Sequence, residues 1–142
     1  MKGYLIAAAA LGGYLCGAIS FARLIGRIVA PGQDVSRSEL DVGEEKRKFT
    51  FDLASATNIE AVLGTKYGCL TSVLDMLKVF VPTLLLRLLF PDSPYYLVSA
   101  AAGVVGHNWP VFYRFRGGAG LSSVIGGLLI IDWLAVVINP VG

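Results

Sequence analysis

A histidine, two arginines and three glycines lie close together between two apolar segments, and these residue types suit the binding of an anion. The run 106–120 contains the chain's one histidine, His107, followed by Arg114, Arg116 and a Gly-Gly-Ala-Gly sequence at 117–120. Glycines let backbone N–H groups approach an anion closely, and arginines supply the opposite charge. The run therefore predicts phosphate binding at a membrane surface. A basic turn between two membrane helices is the alternative interpretation of the same residues.

The composition indicates a membrane protein with one domain, residues 1–142. Hydrophobic residues make up 55% of the chain and charged residues 15%, whereas soluble domains usually contain about 45–50% apolar residues. The net charge of +2 gives no indication of nucleic-acid binding. Cys16 and Cys69 lie in or beside apolar segments without the paired spacing of metal ligands, so we expect packing residues and no metal site.

Four apolar segments are candidate membrane helices, since a span needs about 20 mostly apolar residues. They are residues 3–29, 69–90, 95–112 and 121–138. Pro91 and Pro94 predict a tight turn between the second and third segments, because proline cannot continue a helix. The first segment is longer than the apolar region of a signal peptide, so we interpret it as a retained span. The predicted fold class is an all-α membrane protein, a polytopic bundle of about four helices.

The positions of the basic residues predict the orientation of these spans. A polar segment, residues 31–66, follows the first span and could contain a short interfacial helix, and another helix could begin near Asn58 with Thr57 as its N-cap. Basic residues are concentrated in this segment and in the loop after the third span. Because basic loops favour the cytoplasmic side, both loops are expected to be cytoplasmic and the N-terminus outside.

Charged residues also occur inside the apolar segments. Asp75 and Lys78 are three residues apart, so they share a helix face and can pair. A charge within a membrane is costly and by default marks a functional site, although these two could lie near the interface with their charged ends in water. Arg23 and Arg27 form a similar pair on the first segment, either functional or anchoring.

Five motifs, in the same order along the chain, resemble those of the bacterial membrane glycerol-3-phosphate acyltransferases that use acyl phosphate as donor. Residues 17–27 are similar to G-S-I-P/T-F-G-Y-L-I-G-R/K, and residues 56–58 match the end of G-S-G-N-x-G-A-T-N. Residues 63–68 resemble L-G-K-K-Y-G, and residues 74–78 resemble L-D-x-L-K. Residues 106–120 match G-H-x-x-P-V-F-x-x-F-K-G-G-K-G almost position by position.

The resemblance implies a multi-pass enzyme of the bacterial plasma membrane, with its site on the cytoplasmic face. Such an enzyme would transfer a fatty acyl group from acyl phosphate to the 1-hydroxyl of glycerol 3-phosphate, forming lysophosphatidic acid in phospholipid synthesis. It implies no cofactor and no metal. Acyl phosphate, glycerol 3-phosphate and membrane lipid are the expected partners, nucleic acid is not expected, and no protein partner is indicated.

The candidate site combines one catalytic residue with a set of binding residues. His107 is the candidate general base, with the substrate's own phosphate as the alternative. The candidate substrate- and phosphate-binding residues are Ser20, Arg27, Thr57, Asn58, Lys66, Lys78, Arg116, Gly117, Gly118 and Gly120. We expect the basic members and His107 to surround a small polar cavity at the cytoplasmic face, where positioning and charge stabilisation would drive catalysis.

Several positions depart from the family's pattern. Ala18 replaces the serine of the first motif, residues 52–55 stand where G-S-G-N would lie, and Ala119 replaces the second basic residue of G-G-K-G. Each lost charge-assisted hydrogen bond is worth about 1.5–3 kcal/mol. The chain also has about four predicted spans where the family has roughly seven. We therefore expect weak glycerol 3-phosphate binding and low turnover, and the alternative function is that of a non-catalytic membrane subunit or lipid-binding homologue.

Overall fold

The computed structural model describes residues 2–32, 35, 37–42, 47–52 and 54–138. The ends of the predicted domain, residue 1 and residues 139–142, lie outside the described residues, as do several positions of the polar segment 31–66. The described elements are α1 (Gly3–Gly17), α2 (Phe21–Val29), β1 (Arg37–Val42), β2 (Arg47–Asp52), α3 (Ala56–Leu63), α4 (Thr65–Leu89), α5 (Tyr95–Asn108), a 3-10 turn (Val111–Tyr113), α6 (Leu121–Ile131) and α7 (Trp133–Ile138).

The predicted helical character is confirmed in most of the described chain. The segment Gly3–Val29 and helix α4 are long and apolar enough, by length and composition, to cross a membrane. Helix α5 has 14 residues and α6 has 11, so both are shorter than a typical span. Four membrane crossings and an external N-terminus therefore stay predictions.

The first predicted span is not one continuous helix. Helix α1 ends at Gly17 and α2 begins at Phe21, with Ser20 extended between them at φ −96° and ψ 97°. The Ser20 hydroxyl accepts a hydrogen bond from the backbone N–H of Arg23 at 3.5 Å, which is the contact of an N-cap. The prediction of a single helix over residues 3–29 is corrected accordingly, because serine favours this capped, extended conformation over the helix interior.

The third and fourth predicted spans also end or break earlier than expected. Helix α5 ends at Asn108 because Pro110 disfavours a helical conformation at the preceding residue. The segment 121–138 is divided at Asp132, whose carboxylate accepts a hydrogen bond from the N–H of Leu134 at 3.1 Å and thereby caps α7. At both breaks a residue disfavours or caps a helix, although the apolar character of the sequence continues across it.

The polar segment contains a β-hairpin where a short interfacial helix was considered. Strands β1 and β2 pair antiparallel, with Arg37 opposite Asp52 and Leu40 opposite Phe49. The sequences Glu-Leu-Asp-Val and Lys-Phe-Thr-Phe-Asp alternate polar and apolar residues, which is the period of a strand. The all-α prediction is thus corrected at this hairpin.

Helix α3 begins earlier than predicted. Its N-cap is Ser55, whose hydroxyl accepts from the backbone N–H of Asn58 at 3.2 Å, so Thr57 belongs to the first turn and is not the cap. The predicted Thr57 cap is wrong. Serine and threonine are both common N-cap residues, and the helical conformation here begins directly after Ser55. Next to this turn, Ala22 of α2, Val35, Ala54 and Ile59 of α3 form a buried apolar cluster.

Helices α1 and α5 pack with their backbones in close contact, and α4 packs against α3, α5 and α6. A Cβ atom at Gly17 would collide with the carbonyl of Gly103, and one at Gly106 would collide with the carbonyl of Tyr14. Glycine is therefore needed at these positions for the two helices to approach. Contacts of this small-residue type are common between membrane helices.

We expect Gly17→Ala to lower the unfolding midpoint of the protein in detergent. The added methyl group has no space against Gly103, and overpacking of this kind costs about 1–3 kcal/mol. Gly12→Ala is the matched control on the same helix, because a Cβ atom there meets nothing within 4 Å. Thermal unfolding followed by circular dichroism compares the two variants, and equal midpoints would contradict the close α1–α5 packing.

Candidate functional site

A small polar pocket lies where the first turn of α3, the first half of α4, the end of α5 and the start of α6 meet. Its volume is about 120 Å³. The polar groups that line it are the hydroxyls of Ser55, Thr57, Ser72 and Ser122, the carboxylate of Asp75 and the imidazole of His107. Ala119, Gly120 and Leu121 complete the wall on the side of the glycine cluster, residues 117–120. We call this cavity the polar pocket.

Lys78 lies buried among three acceptor groups at the inner side of this site. Its Nζ atom is 2.7 Å from the carbonyl oxygen of Ile19 and 2.7 Å from Nδ1 of His107. Nζ is also 2.7 Å from Oδ1 of Asp75, an ionic contact that lacks the angle of a directed hydrogen bond. The expected Asp75–Lys78 pairing is therefore confirmed.

The side chains of this site are almost completely removed from solvent. The exposed fractions are 2% for Asp75, 8% for Lys78 and 7% for His107. An isolated charge at such a position would cost several kcal/mol, and a close partner of opposite charge offsets much of that cost. Asp75 and Lys78 therefore stabilise each other, and each makes burial of the other possible.

The glycine cluster packs over the end of α5 and contacts His107 on the side of the ring away from Lys78. The N–H of Gly118 donates to the carbonyl of His107 at 3.2 Å, and the N–H of Ala54 donates to the carbonyl of Gly117 at 3.2 Å. A Cβ atom at Gly118 would overlap the imidazole ring. Gly120 has a left-handed conformation, φ +88°, immediately before α6. These glycines therefore allow a close approach between the loop and α5. The N–H group of Gly118 forms its hydrogen bond to an acceptor within the protein.

The structure brings together some of the predicted site residues. Thr57, His107 and Gly120 line the polar pocket, and Lys78 contacts His107 directly. Ser20 and Asn58 are buried at the beginnings of α2 and α3. Thr57, Lys78, His107 and Gly120, which belong to motifs far apart in the sequence, thus meet at one place.

The remaining basic candidates lie at the surface. Arg27, Lys66 and Arg116 are exposed, and none of them is among the residues that line the polar pocket. That these three residues bind substrate together with Lys78 and His107 stays a prediction.

The sequence predicted Thr57 as a site residue but gave no indication of the serine hydroxyls that line the pocket. The hydroxyls of Ser72 on α4 and Ser122 on α6 lie 3.2 Å apart, and Ser123 donates to the backbone carbonyl of Asp75 at 3.2 Å. A single serine in an apolar helix forms no recognisable sequence motif. For Ser122, the one available signal was its position two residues after the glycine cluster. Asp75 was identified as half of a charge pair and not as a lining group.

The electrostatic character of the pocket differs from that of a simple phosphate site. Among the described residues that line it, Asp75 is an acid and none is a lysine or an arginine. Hydroxyl groups both donate and accept hydrogen bonds, whereas a carboxylate only accepts. The lining therefore suits a ligand group that carries hydroxyls better than it suits a free phosphate.

Comparison with known proteins agrees with the motif resemblance. The sequence model of the family described as "Glycerol-3-phosphate acyltransferase" matches residues 7–141. A glycerol-3-phosphate acyltransferase of Halalkalibacterium halodurans is 33% identical over 133 residues, covering 92% of this chain and 59% of the relative. One of Desulfotalea psychrophila is 34% identical over 131 residues, covering 89% and 59%. The chain thus spans less than two thirds of the length of these relatives.

The fold is similar to that of an integral membrane protein of known structure. The glycerol 3-phosphate form of PlsY (YgiH), an integral membrane glycerol 3-phosphate acyltransferase, superposes with a TM-score of 0.75 at 30% identity. The match covers 94% of this chain and 60% of that chain, and the lysophosphatidic acid form gives the same values. The predicted helical membrane character is confirmed. The chain belongs to the glycerol-3-phosphate acyltransferase family.

Proposed function

We propose that the chain acts in the transfer of a fatty acyl group from acyl phosphate to glycerol 3-phosphate, with lysophosphatidic acid as the product. The relatives and solved structures that it resembles are glycerol-3-phosphate acyltransferases, and the two similar structures are a glycerol 3-phosphate form and a lysophosphatidic acid form. In this reaction the acyl carbon forms an ester bond with the acceptor oxygen. The bond from that carbon to the phosphate oxygen breaks, and the hydroxyl proton ends on the released phosphate.

The observation that carries the proposal is the polar pocket in an otherwise apolar helix bundle. Four hydroxyls, a carboxylate and an imidazole converge there from four segments of the chain. Such a lining positions a hydroxyl-bearing acceptor, and holding it in a reactive orientation supplies much of the rate enhancement in acyl transfer. We assign the glycerol part of the acceptor to this pocket and the substrate phosphates to exposed basic residues, with Arg116 nearest in sequence to the glycine cluster.

A non-catalytic role as a lipid-binding homologue or membrane subunit is the second candidate, and a specific residue favours it. Ala119 is exposed and lines the polar pocket at the position where the family pattern has a basic residue. A cation there would pair with a substrate phosphate, which alanine cannot do.

We expect Ala119→Lys to increase the affinity for glycerol 3-phosphate and the rate of lysophosphatidic acid formation from palmitoyl phosphate. The unaltered chain should bind weakly and turn over slowly. A charge-assisted contact worth about 1.5–3 kcal/mol corresponds to roughly tenfold to more than a hundredfold in affinity. Titration calorimetry and a product assay on purified protein measure both effects.

Ala119→Gln is the matched control, because it adds a side chain of similar length without the charge. Equal affinities of the Lys and Gln variants would exclude a phosphate contact at this position. Measurable glycerol 3-phosphate binding without product from any variant would favour the non-catalytic role. Rapid turnover by the unaltered chain would show that a cation at position 119 is not needed.

We further propose that the chain crosses the bacterial plasma membrane about four times, with its N-terminus outside. Helix α5 is about 21 Å long at 1.5 Å per residue, shorter than the roughly 30 Å hydrocarbon layer. The following residues to the end of the 3-10 turn would extend it to the interface. Breaks such as those at Ser20 and Asp132 are tolerated in a membrane where the freed backbone groups find partners. The excess of basic residues in the two proposed cytoplasmic loops supports this orientation.

Cysteine labelling from each side of the membrane tests this topology. With Cys16 and Cys69 replaced by alanine, cysteines at Glu45 and Tyr113 are expected to react with an impermeant reagent from the cytoplasmic side. A cysteine at Asp92, in the turn between α4 and α5, should react from the opposite side and serves as the control. Labelling of positions 45 and 113 from opposite sides would overturn the proposed arrangement.

A further inference from the structure

We propose that Lys78, supported by Asp75, fixes His107 as a neutral imidazole that carries its proton on Nε2. His107 then presents a hydrogen-bond donor to the site and does not act as the proton acceptor. This inference assigns Lys78 the role of a positioning residue and His107 the role of a donor. The consequence for the substrate rests on the proposed function, whereas the protonation of the ring can be tested without it.

The hydrogen-bonding capacities of Lys78 and His107 determine which ring nitrogen carries the proton. The Nζ atom of Lys78 lies 2.7 Å from Nδ1 of His107. A lysine ammonium has three N–H donors and no acceptor. In this contact Nδ1 must therefore be the acceptor and carry no proton. In a neutral imidazole with an unprotonated Nδ1, the proton resides on Nε2.

Two oxygen acceptors beside Lys78 stabilise its ammonium form against the cost of burial. Asp75 contributes a carboxylate oxygen 2.7 Å from Nζ, and Ile19 contributes a backbone carbonyl at the same distance. Ile19 lies in the break between α1 and α2, so its carbonyl is outside both helices. The ammonium group thus has two hydrogen-bond acceptors, the Ile19 carbonyl and the His107 ring nitrogen, and one ionic partner, the Asp75 carboxylate.

The opposite edge of the imidazole faces the glycine cluster. A Cβ atom at Gly118 would overlap Nε2, and it would lie 2.8 Å from Cε1 of the same ring. The carbonyl of His107 accepts the N–H of Gly118 at 3.2 Å, so the loop is bonded to the residue whose ring it packs against. Lys78 therefore holds the ring at Nδ1, and the absence of a side chain at Gly118 leaves space beside Nε2.

This arrangement determines what His107 can do at the wall of the polar pocket. An Nε2–H group donates to an oxygen that carries lone pairs, such as a phosphate, carbonyl or hydroxyl oxygen. It cannot remove a proton from an acceptor hydroxyl, because Nδ1 is occupied by Lys78 and Nε2 already bears a proton. His107 in this state stabilises negative charge that develops on a substrate oxygen.

Nitrogen-15 NMR of the full chain in detergent tests the inference directly, because His107 is the one histidine of the sequence. With ring-labelled histidine, the Nε2 signal is expected at the shift of a protonated nitrogen and the Nδ1 signal at that of an unprotonated acceptor. Lys78→Met should shift this pattern toward a proton on Nδ1, since Asp75 Oδ1 is only 3.7 Å from that atom. Lys78→Arg keeps a cationic donor and should preserve the wild-type pattern.

Lys2→Met is the matched control for loss of a lysine, because Lys2 is exposed at the beginning of α1, and its spectrum should equal that of the wild type. A wild-type spectrum with the proton on Nδ1, or with both nitrogens protonated, would overturn the proposal whatever the enzymatic activity. A folded Lys78→Met protein with unchanged nitrogen-15 shifts of His107 would show that Lys78 does not fix the tautomer. The wild-type spectrum decides the tautomer even if Lys78→Met does not fold, and it does so independently of acyl transfer.

Discussion

The buried ammonium group of Lys78 is the constraint on which the arrangement of this molecule depends. A lysine in the middle of an apolar helix is stable in its charged form only if acceptors surround it. The chain supplies them from three separate places: Asp75 one turn away on α4, the carbonyl of Ile19 in the break after α1, and the ring of His107 on α5. The positions of these three elements are thereby tied to one atom.

Short distances at this centre require that the helices approach closely, and the glycines make that approach possible. Side chains larger than glycine at positions 17 and 106 would force α1 and α5 apart, and one at position 118 would displace the loop from His107. Because α5 carries His107 and the α1–α2 break carries Ile19, separation of α1 from α5 would also lengthen the contacts of Lys78. Close packing and charge compensation are therefore two aspects of the same arrangement.

The sequence predicted those features that depend on local spacing. The Asp75–Lys78 pair follows from the helical repeat, and the long apolar segments predict α4 and most of α1. The run from His107 to Gly120 was identified by its residue types, although its glycines serve a close approach to α5 more clearly than the N–H binding of an anion.

Other features depend on contacts between distant residues and could not be read from local patterns. Whether Ser20 interrupts a helix or remains inside it depends on tertiary surroundings, and so does the choice of Ser55 over Thr57 as a cap. The hydroxyls of Ser72 and Ser122 acquire a common function only when α4 and α6 pack together. The strands of the hairpin contain an alternation of polar and apolar residues. The high density of charged residues in that segment instead favoured its interpretation as a polar loop.

The most direct test of the central role of Lys78 is a double-mutant cycle with Asp75→Asn and Lys78→Met, measured as the free energy of unfolding in an SDS titration. Each single substitution leaves a buried partner uncompensated, which typically costs about 3–5 kcal/mol. The double variant removes both charges, so its loss of stability should be clearly smaller than the sum of the two single losses. Strictly additive losses would contradict the account, because they would show that the two side chains do not stabilise each other.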